Sequence, residues 1–283
     1  MKVRVLFFAL ASGMAACASS QSGLQRALDP SMERVLRTES YLWTVSGITG
    51  HPERLMRSDG YIYMSDMAPV MRYLTLVQDT SRFLTLRKFV QANMLSRDAS
   101  GLLPWRRFRD GARFERATPY GDRFLRQALN LAWHELGDTV SGELLARVPW
   151  FSGDEDEKYS ESYRLAMRCA DAVDLVSYDV AVARATLRDA NSRFDRIVAE
   201  NVKRGDSRVE AGELDLASCL TRLAIMAGDP DATVRYLDRT LDIVAPLLVH
   251  SGRPDLGTTA DVLLTLRLVR QKGPAYHAVI RSP

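Results

Sequence analysis

The chain has 283 residues, enough for one large domain with a sizeable core. Hydrophobic residues make up 46% and charged residues 26% of it, as is ordinary for a soluble globular protein. The formal net charge is +3, and Lys2 and Arg4 of the N-terminal leader account for two of these charges. The rest of the chain is nearly neutral, which argues against nucleic acid as a partner.

The first 17 residues have the features of a bacterial export signal. Lys2 and Arg4 precede an apolar run that is too short to span a membrane. The segment ends in Met14-Ala15-Ala16-Cys17, which resembles a lipoprotein box whose cysteine is acylated and becomes the new N-terminus. We therefore expect Cys17 to anchor the protein in the bacterial envelope, on the periplasmic face of the outer membrane. Ordinary cleavage near the same place is the alternative.

The remaining chain divides into a short tether and one domain. Residues 18–29 include a stretch rich in serine and alanine and form the tether, and residues 30–283 form the domain. Apolar residues recur at helical spacing in ten of its segments, which predicts helices. These segments are 30–44, 65–78, 81–96, 122–136, 139–148, 157–176, 179–202, 211–227, 230–249 and 258–270.

Very short acidic turns join several of these predicted helices. The turns are Gln78-Asp79-Thr80, Gly137-Asp138-Thr139 and Gly228-Asp229-Pro230. In each, the aspartate can cap the second helix, and the short connection makes the two helices antiparallel. The pattern predicts an all-α fold, an (α/α) hairpin toroid of about five to six hairpins. An irregular α-solenoid is the alternative.

One small β-hairpin is expected within residues 103–118. The pair Asp110-Gly111 lies between short alternating stretches, and Asp-Gly is typical of the tight turn that joins two strands. Gly121-Asp122 follows and predicts the start of a helix, with Asp122 as its N-terminal cap.

Cysteine and histidine give no sign of a metal site. Cys169 and Cys219 lie in apolar helical runs, where a cysteine is usually a small buried hydrophobe, although an oxidising compartment also permits a disulfide. The four histidines lack metal-ligand spacing. We expect neither a metal nor a cofactor.

Three short motifs, in order, resemble those of glycoside hydrolase family 8. Ser58-Asp59-Gly60-Tyr61-Ile62-Tyr63 is similar to the family's Ser-Glu-Gly-x-x-Tyr, and Ala117-Thr118-Pro119-Tyr120-Gly121-Asp122 is similar to its Ala-Ser/Thr-Asp-Gly/Ala-Asp. Ser177-Tyr178-Asp179 is similar to the family's Tyr-Asp-Ala-x-Arg. The resemblance covers about residues 55–190.

The chain also departs from the family pattern. Asp59 replaces the family's glutamate, and Tyr120 stands where the second motif has its first aspartate. The interval between Asp122 and Asp179 is about one hairpin short, and the arginine after Asp179 is out of register.

The resemblance implies an endo-acting, inverting glycoside hydrolase whose partner is a polysaccharide. Asp59 would be the general acid, Asp179 the base, and Asp122 would hold the sugar. Such enzymes place the two carboxyl groups roughly 6.5–9.5 Å apart. Asp59 lies among Tyr61 and Tyr63, where partial desolvation would favour its protonated form.

Further candidates come from position and residue type. Counting back from the turn at Asp79 favours Asp66 over Asp59 as the acid. Aromatic rings bind the apolar faces of sugars, and the candidate platforms are Tyr63, Trp105, Tyr120 and Tyr178.

The alternative function is a non-catalytic helical lipoprotein that scaffolds or binds glycan in an envelope or exopolysaccharide assembly. The substituted acid and the missing hairpin favour that alternative.

Overall fold

The computed structural model describes residues 31–95, 106–108, 114–115, 119–148, 161–174, 180–204, 207–250 and 256–271. This part of the chain is mainly helical, which confirms the all-α class. Its helices are α1 (31–46), α2 (Met64–Leu76), α3 (Thr80–Asn93), α4 (Pro119–Leu136), α5 (Thr139–Arg147), α6 (Glu161–Asp174), α7 (Val180–Arg204), α8 (Ser207–Ala227), α9 (Pro230–His250) and α10 (Leu256–Arg270). Each predicted segment corresponds to one of them, with ends that differ by at most four residues.

The predicted β-hairpin is present, but it has an additional strand. Strands β2 (Arg106–Phe108) and β3 (Phe114–Glu115) pair antiparallel, and β1 (Tyr61–Tyr63) pairs with the other edge of β2. The hairpin therefore lies within residues 103–118 as expected, and β1 is an additional strand that was not predicted. Aromatic and β-branched residues favour a strand, and β1 supplies partners for backbone groups that would otherwise be unpaired along β2.

The three predicted acidic turns are confirmed. The residue before the aspartate has a positive φ in each, 59° at Gln78, 64° at Gly137 and 68° at Gly228. The aspartate side chain then accepts a backbone N–H three residues on, at 3.1 Å for Asp79, 3.2 Å for Asp138 and 2.9 Å for Asp229. Each turn therefore closes one helix and caps the next.

The start of α4 differs from the prediction. The helix begins at Pro119 rather than at Asp122. Proline is favoured at the first helical position, because the missing N–H has no partner there in any helix. Asp122 is therefore in the first turn of α4 and is not its N-terminal cap.

The even-numbered helices contact one another in a cycle. Contacts run from α2 to α4, α4 to α6, α6 to α8, α8 to α10, and from α10 back to α2. Odd-numbered helices α3, α5, α7 and α9 each contact the even-numbered helix that precedes them in sequence, and α7 also contacts α8. Helix α1 lies against α9 and α10, because Arg34 pairs with Asp242 at 2.6 Å and Glu39 pairs with Arg270 at 2.7 Å.

Both described cysteines are free thiols in the core. Cys169 of α6 and Cys219 of α8 are buried in the same apolar cluster, as expected for small hydrophobic residues. Burial, together with the nearby Cys219 thiol, raises the pKa of Cys169 well above its ordinary value. The disulfide alternative is not found in this structure.

Within the described residues, no helix is both long enough and apolar enough to cross a membrane. The expected export signal, with Cys17, and the tether lie outside the described residues.

Candidate functional site

A cavity of about 250 Å³ lies among the even-numbered helices. Every one of these five helices contributes to its described lining, and Arg57 joins them from the segment before α2. The charged and amide side chains of this lining are Arg57, Asp66, Arg72, Gln127, Asp215, Arg222 and Asp261. We call this space the central cavity. Three carboxylates and three guanidinium groups face one small volume there.

Asp66 is the carboxylate that α2 contributes to the central cavity. It lies in the first turn of the helix and is only 1% exposed. Both of its oxygens accept from Arg57, Oδ2 from Nε at 2.6 Å and Oδ1 from Nη2 at 2.5 Å. A bidentate ion pair and the positive end of a helix both stabilise the carboxylate form.

Asp261 of α10 lies between two buried arginines. Arg222 of α8 donates to its carboxylate at 2.8 Å, and Arg72 of α2 is 3.5 Å from it. Arg222 also donates to Thr265 at 2.7 Å, and Arg72 donates to Gln127 of α4 at 3.4 Å. The two arginines are 3% or less exposed and the Asp261 side chain is 16% exposed, so this largely buried group of side chains joins four of the even-numbered helices.

Helix α8 contributes a polar face along one side. Asp215, Cys219 and Arg222 follow at intervals of four and three residues, which places them on the same face of the helix. All three line the central cavity, and Asp215 is half-buried. Asp215 therefore brings a third carboxylate to the cavity, from a helix other than those of Asp66 and Asp261.

Asp59 has a different place from the one that the motif suggests. It is exposed in a tight turn, where Gly60 has a φ of 83° and donates to the Arg57 carbonyl at 3.0 Å. Its carboxylate accepts from the Tyr61 backbone N–H at 3.0 Å and from the Tyr63 hydroxyl. The expected desolvation is absent, and Asp59 is not among the described residues of the cavity lining.

The other sequence candidates divide into two groups. Tyr63 is 6% exposed, contacts Asp59 through its hydroxyl, and lies under the Arg57 guanidinium at 4.3 Å from its ring centre. It supports the rim of the cavity and is not in the described lining. The remaining candidates fall outside the described residues or have side chains outside them: Cys17, Trp105, Tyr120, Asp122, Tyr178 and Asp179.

Motif reasoning missed five of the charged residues in the described cavity lining. These are Arg57, Arg72, Asp215, Arg222 and Asp261. Three of them interrupt strongly apolar helical segments, such as Ala260-Asp261-Val262-Leu263. A charge on the buried face of a helix needs a partner, so this pattern is the signal that identifies them.

The described residues contain no group of three or more histidine, cysteine, aspartate or glutamate side chains arranged to hold a metal ion.

Comparisons with protein-family models, curated proteins and solved structures gave no match for this chain.

Proposed function

We propose that the helices form a five-hairpin toroid, with the even-numbered helices inside and the odd-numbered helices outside. The cycle of contacts that returns from α10 to α2 supports this arrangement. An open solenoid would lack contacts between its first and last repeats. In the toroid, α1 and α10 make the fifth hairpin across the chain ends, which accounts for the Glu39–Arg270 ion pair.

We also propose that the central cavity binds one sugar unit of a polysaccharide. The observation that carries this proposal is the set of carboxylates, guanidinium groups and an amide that four different helices and the segment before α2 contribute to one volume. A sugar presents neighbouring hydroxyl groups that both donate and accept, so it matches such a mixture of acceptors and donors. The volume of about 250 Å³ is near the lower end of ligand sites, roughly 300–1,000 Å³, and suits one small unit.

Inverting hydrolysis is the reaction that we assign to this site. By the resemblance, Asp59 would be the general acid and Asp179 the base. The cavity lining offers two further carboxyl groups, those of Asp66 and Asp215. Because Arg57 holds Asp66 as a carboxylate, Asp66 suits the activation of water better than the donation of a proton. We place the proton donor at Asp215, which lines the same cavity from α8.

The test uses the chain from residue 18 onward and defined oligosaccharides. Purified protein is incubated with β-1,4-glucan, β-1,4-xylan, β-1,3-glucan, chitosan and polyuronate oligomers, and new reducing ends are measured. Proton NMR of the first product shows whether the anomeric configuration is inverted. We expect Asp66→Asn and Asp215→Asn to lower kcat by roughly 10²–10⁴-fold. Asp195→Asn, at an exposed pair with Arg235, is the matched control and should keep the wild-type rate.

A non-catalytic glycan-binding protein is the second candidate. Two observations favour it: arginines hold both Asp66 and Asp261, and Asp59 is outside the described cavity lining. Calorimetry with the same oligomers separates the two functions. Binding without product supports the second candidate, and the absence of both binding and product rejects the sugar site.

We propose that Cys17 carries a lipid that anchors the protein in the bacterial envelope. The support is the lipoprotein box at the end of the apolar leader. Metabolic labelling with a fatty acid should label the wild-type protein and Cys169→Ala, but not Cys17→Ala, because only a thiol at position 17 can carry the diacylglycerol. Equal labelling of all three proteins would reject the anchor.

A further inference from the structure

Arg57 connects the exposed turn to the central cavity. Its backbone N–H donates to the Tyr61 carbonyl at 2.9 Å, and the neighbouring Met56 forms a bridge with Ile62. The backbone of Arg57 therefore belongs to the turn that carries Asp59. Its side chain extends from this turn to Asp66 on α2 and is 41% exposed, whereas the side chains of Arg72 and Arg222 are fully buried.

Two contacts fix the plane of the Arg57 guanidinium. Its edge donates twice to the Asp66 carboxylate, and its face lies 4.3 Å from the centre of the Tyr63 ring. A guanidinium can make both contacts at once because it is planar, whereas an ammonium group can make only one of them well. The Tyr63 hydroxyl in turn donates to Asp59, so four side chains form a continuous chain from solvent to the cavity.

We infer that Arg57 is the positioning residue of this site: it holds the Asp66 carboxylate in one orientation and in its ionised form at the cavity wall, and Tyr63 holds Arg57 in place. The inference rests on the proposed function in one respect, that Asp66 acts on the ligand. It also gives Asp59 a role, since Asp59 orients Tyr63 from the rim. The Ser-Asp-Gly segment then supports the site through Tyr63 and Arg57 without touching the ligand.

Other charged groups in the cavity lining can also affect the titration of Asp66. Besides Arg57, the described cavity lining contains Arg72 on the same helix, Asp215 and Arg222 on α8, and Asp261 on α10. Arg72 and Arg222 both contact Asp261. Removing Arg57 deletes the bidentate partner of Asp66 and leaves its carboxyl group buried in a cavity with two other carboxylates. The protonated form of Asp66 should therefore become more stable relative to the carboxylate form.

The experiment follows the Asp66 carboxyl group directly and needs no sugar. The chain from residue 18 is labelled with ¹³C-aspartate, the Asp66 signal is assigned by its loss in Asp66→Asn, and its chemical shift is recorded against pH. We expect Arg57→Gln to increase the proton affinity of Asp66 at least tenfold. Arg57→Lys should restore part of the wild-type value. Arg54→Gln, an exposed arginine in the preceding 3-10 turn, should leave it unchanged.

The outcomes separate this inference from the proposed function. An unchanged Asp66 titration in a folded Arg57→Gln or Arg57→Lys protein overturns the positioning role. If the titration shifts and no oligosaccharide is bound or cleaved, the positioning role stands and the sugar site fails. Where hydrolysis is observed, the acidic limb of the pH–rate profile should move to higher pH in Arg57→Gln. A merely structural role would lower the rate equally at every pH.

Discussion

The two ends of the even-numbered helices are built differently. At the C-terminal ends of α2, α4 and α8, the chain reverses at once through a residue with positive φ and a capping aspartate. The central cavity is lined mainly by the N-terminal halves of α4 and α10, by the first three turns of α2 and by the middle of α6 and α8, and the segment 47–63 that leads into α2 contributes Arg57 to it. The turns are formed by residues within a few positions of one another, whereas the cavity brings together side chains from distant parts of the sequence.

This difference has an energetic consequence. A capping aspartate satisfies one or two backbone donors and is worth about 0.5–2 kcal/mol. Removing one partner of a buried ion pair leaves an uncompensated charge and costs about 3–5 kcal/mol. The cavity end should therefore be far more sensitive to single substitutions than the turn end. The four predictions below test this difference, beginning with the largest effect.

Asp261→Asn should give the largest loss of stability. The substitution keeps the shape of the side chain but leaves the buried guanidinium groups of Arg72 and Arg222 without their shared carboxylate. We expect the free energy of unfolding to fall by about 3–5 kcal/mol, measured by urea denaturation with circular dichroism. Asp195→Asn, at an exposed pair, should change it by less than about 1 kcal/mol. Similar losses in both variants would contradict the contrast between the two ends.

Asp229→Ala tests the turn end. The Asp229 carboxylate caps α9 by accepting the Ala232 backbone N–H at 2.9 Å. We expect a loss of about 1–2 kcal/mol in the free energy of unfolding, with oligosaccharide binding unchanged. Thr139→Ala, at an exposed position in the equivalent turn before α5, is the control. A change in binding would show that the two ends are coupled.

Glu161→Gln tests an ion pair outside the cavity lining. Glu161 begins α6 and pairs with Arg193 at 2.8 Å and Arg196 at 2.6 Å on α7. Burial raises the pKa of Glu161, but the two guanidinium groups outweigh this effect and hold it below its ordinary value. A depressed pKa contributes stability above the unfolded-state pKa and loses it as pH falls through the folded-state value.

We therefore expect Glu161→Gln to cost up to about 1 kcal/mol at pH 7 and nothing at a pH well below the folded-state value. Urea denaturation of both proteins at pH 7 and at progressively lower pH measures this difference. If Glu161→Gln lowered the free energy of unfolding as much as Asp261→Asn, burial in the cavity would not explain why an ion pair is sensitive to substitution.

Gln78→Gly should have the smallest effect, and it should be stabilising. Gln78 has a φ of 59°, where the two equivalent turns have glycine. In this conformation a residue with a side chain is less stable than glycine by about 1–2 kcal/mol. Its amide donates to the Thr75 carbonyl at 3.4 Å, and losing this contact offsets part of the gain. We expect a net gain of roughly 0.5–1 kcal/mol in thermal or urea unfolding. The reciprocal Gly228→Gln should destabilise the protein, and a loss in Gln78→Gly would reject this explanation.

The sequence predicted the turn end far better than the cavity end. Helical periodicity and Gly-Asp turns involve residues within four positions of one another, so they can be read directly from the chain. The start of α4 was misplaced because Gly121-Asp122 resembles a cap, whereas Pro119 already fits the first helical position. Strand β1 was missed because its partner, β2, lies more than 40 residues away.

The candidate site shows the same division. Asp66 was identified by counting from the turn at Asp79, and the structure places it in the central cavity. Asp59 was favoured by the motif, but its local turn holds it at the surface with Tyr61 and Tyr63. Asp215 and Asp261 belong to no motif. The sequence around each of them shows that a charge lies on a buried helix face, but it does not show which residue pairs with that charge.

The sequence by itself therefore determined the class of the fold, the number of helices in the described part and the chemistry of the turns between them. These features depend on backbone hydrogen bonds and side-chain spacing within one or two helical turns. Only the tertiary structure decided which charges share the cavity, because Arg72 and Asp261 are 3.5 Å apart in space but lie on the first and last even-numbered helices. Their pairing depends on the contact between α10 and α2, which no local pattern encodes.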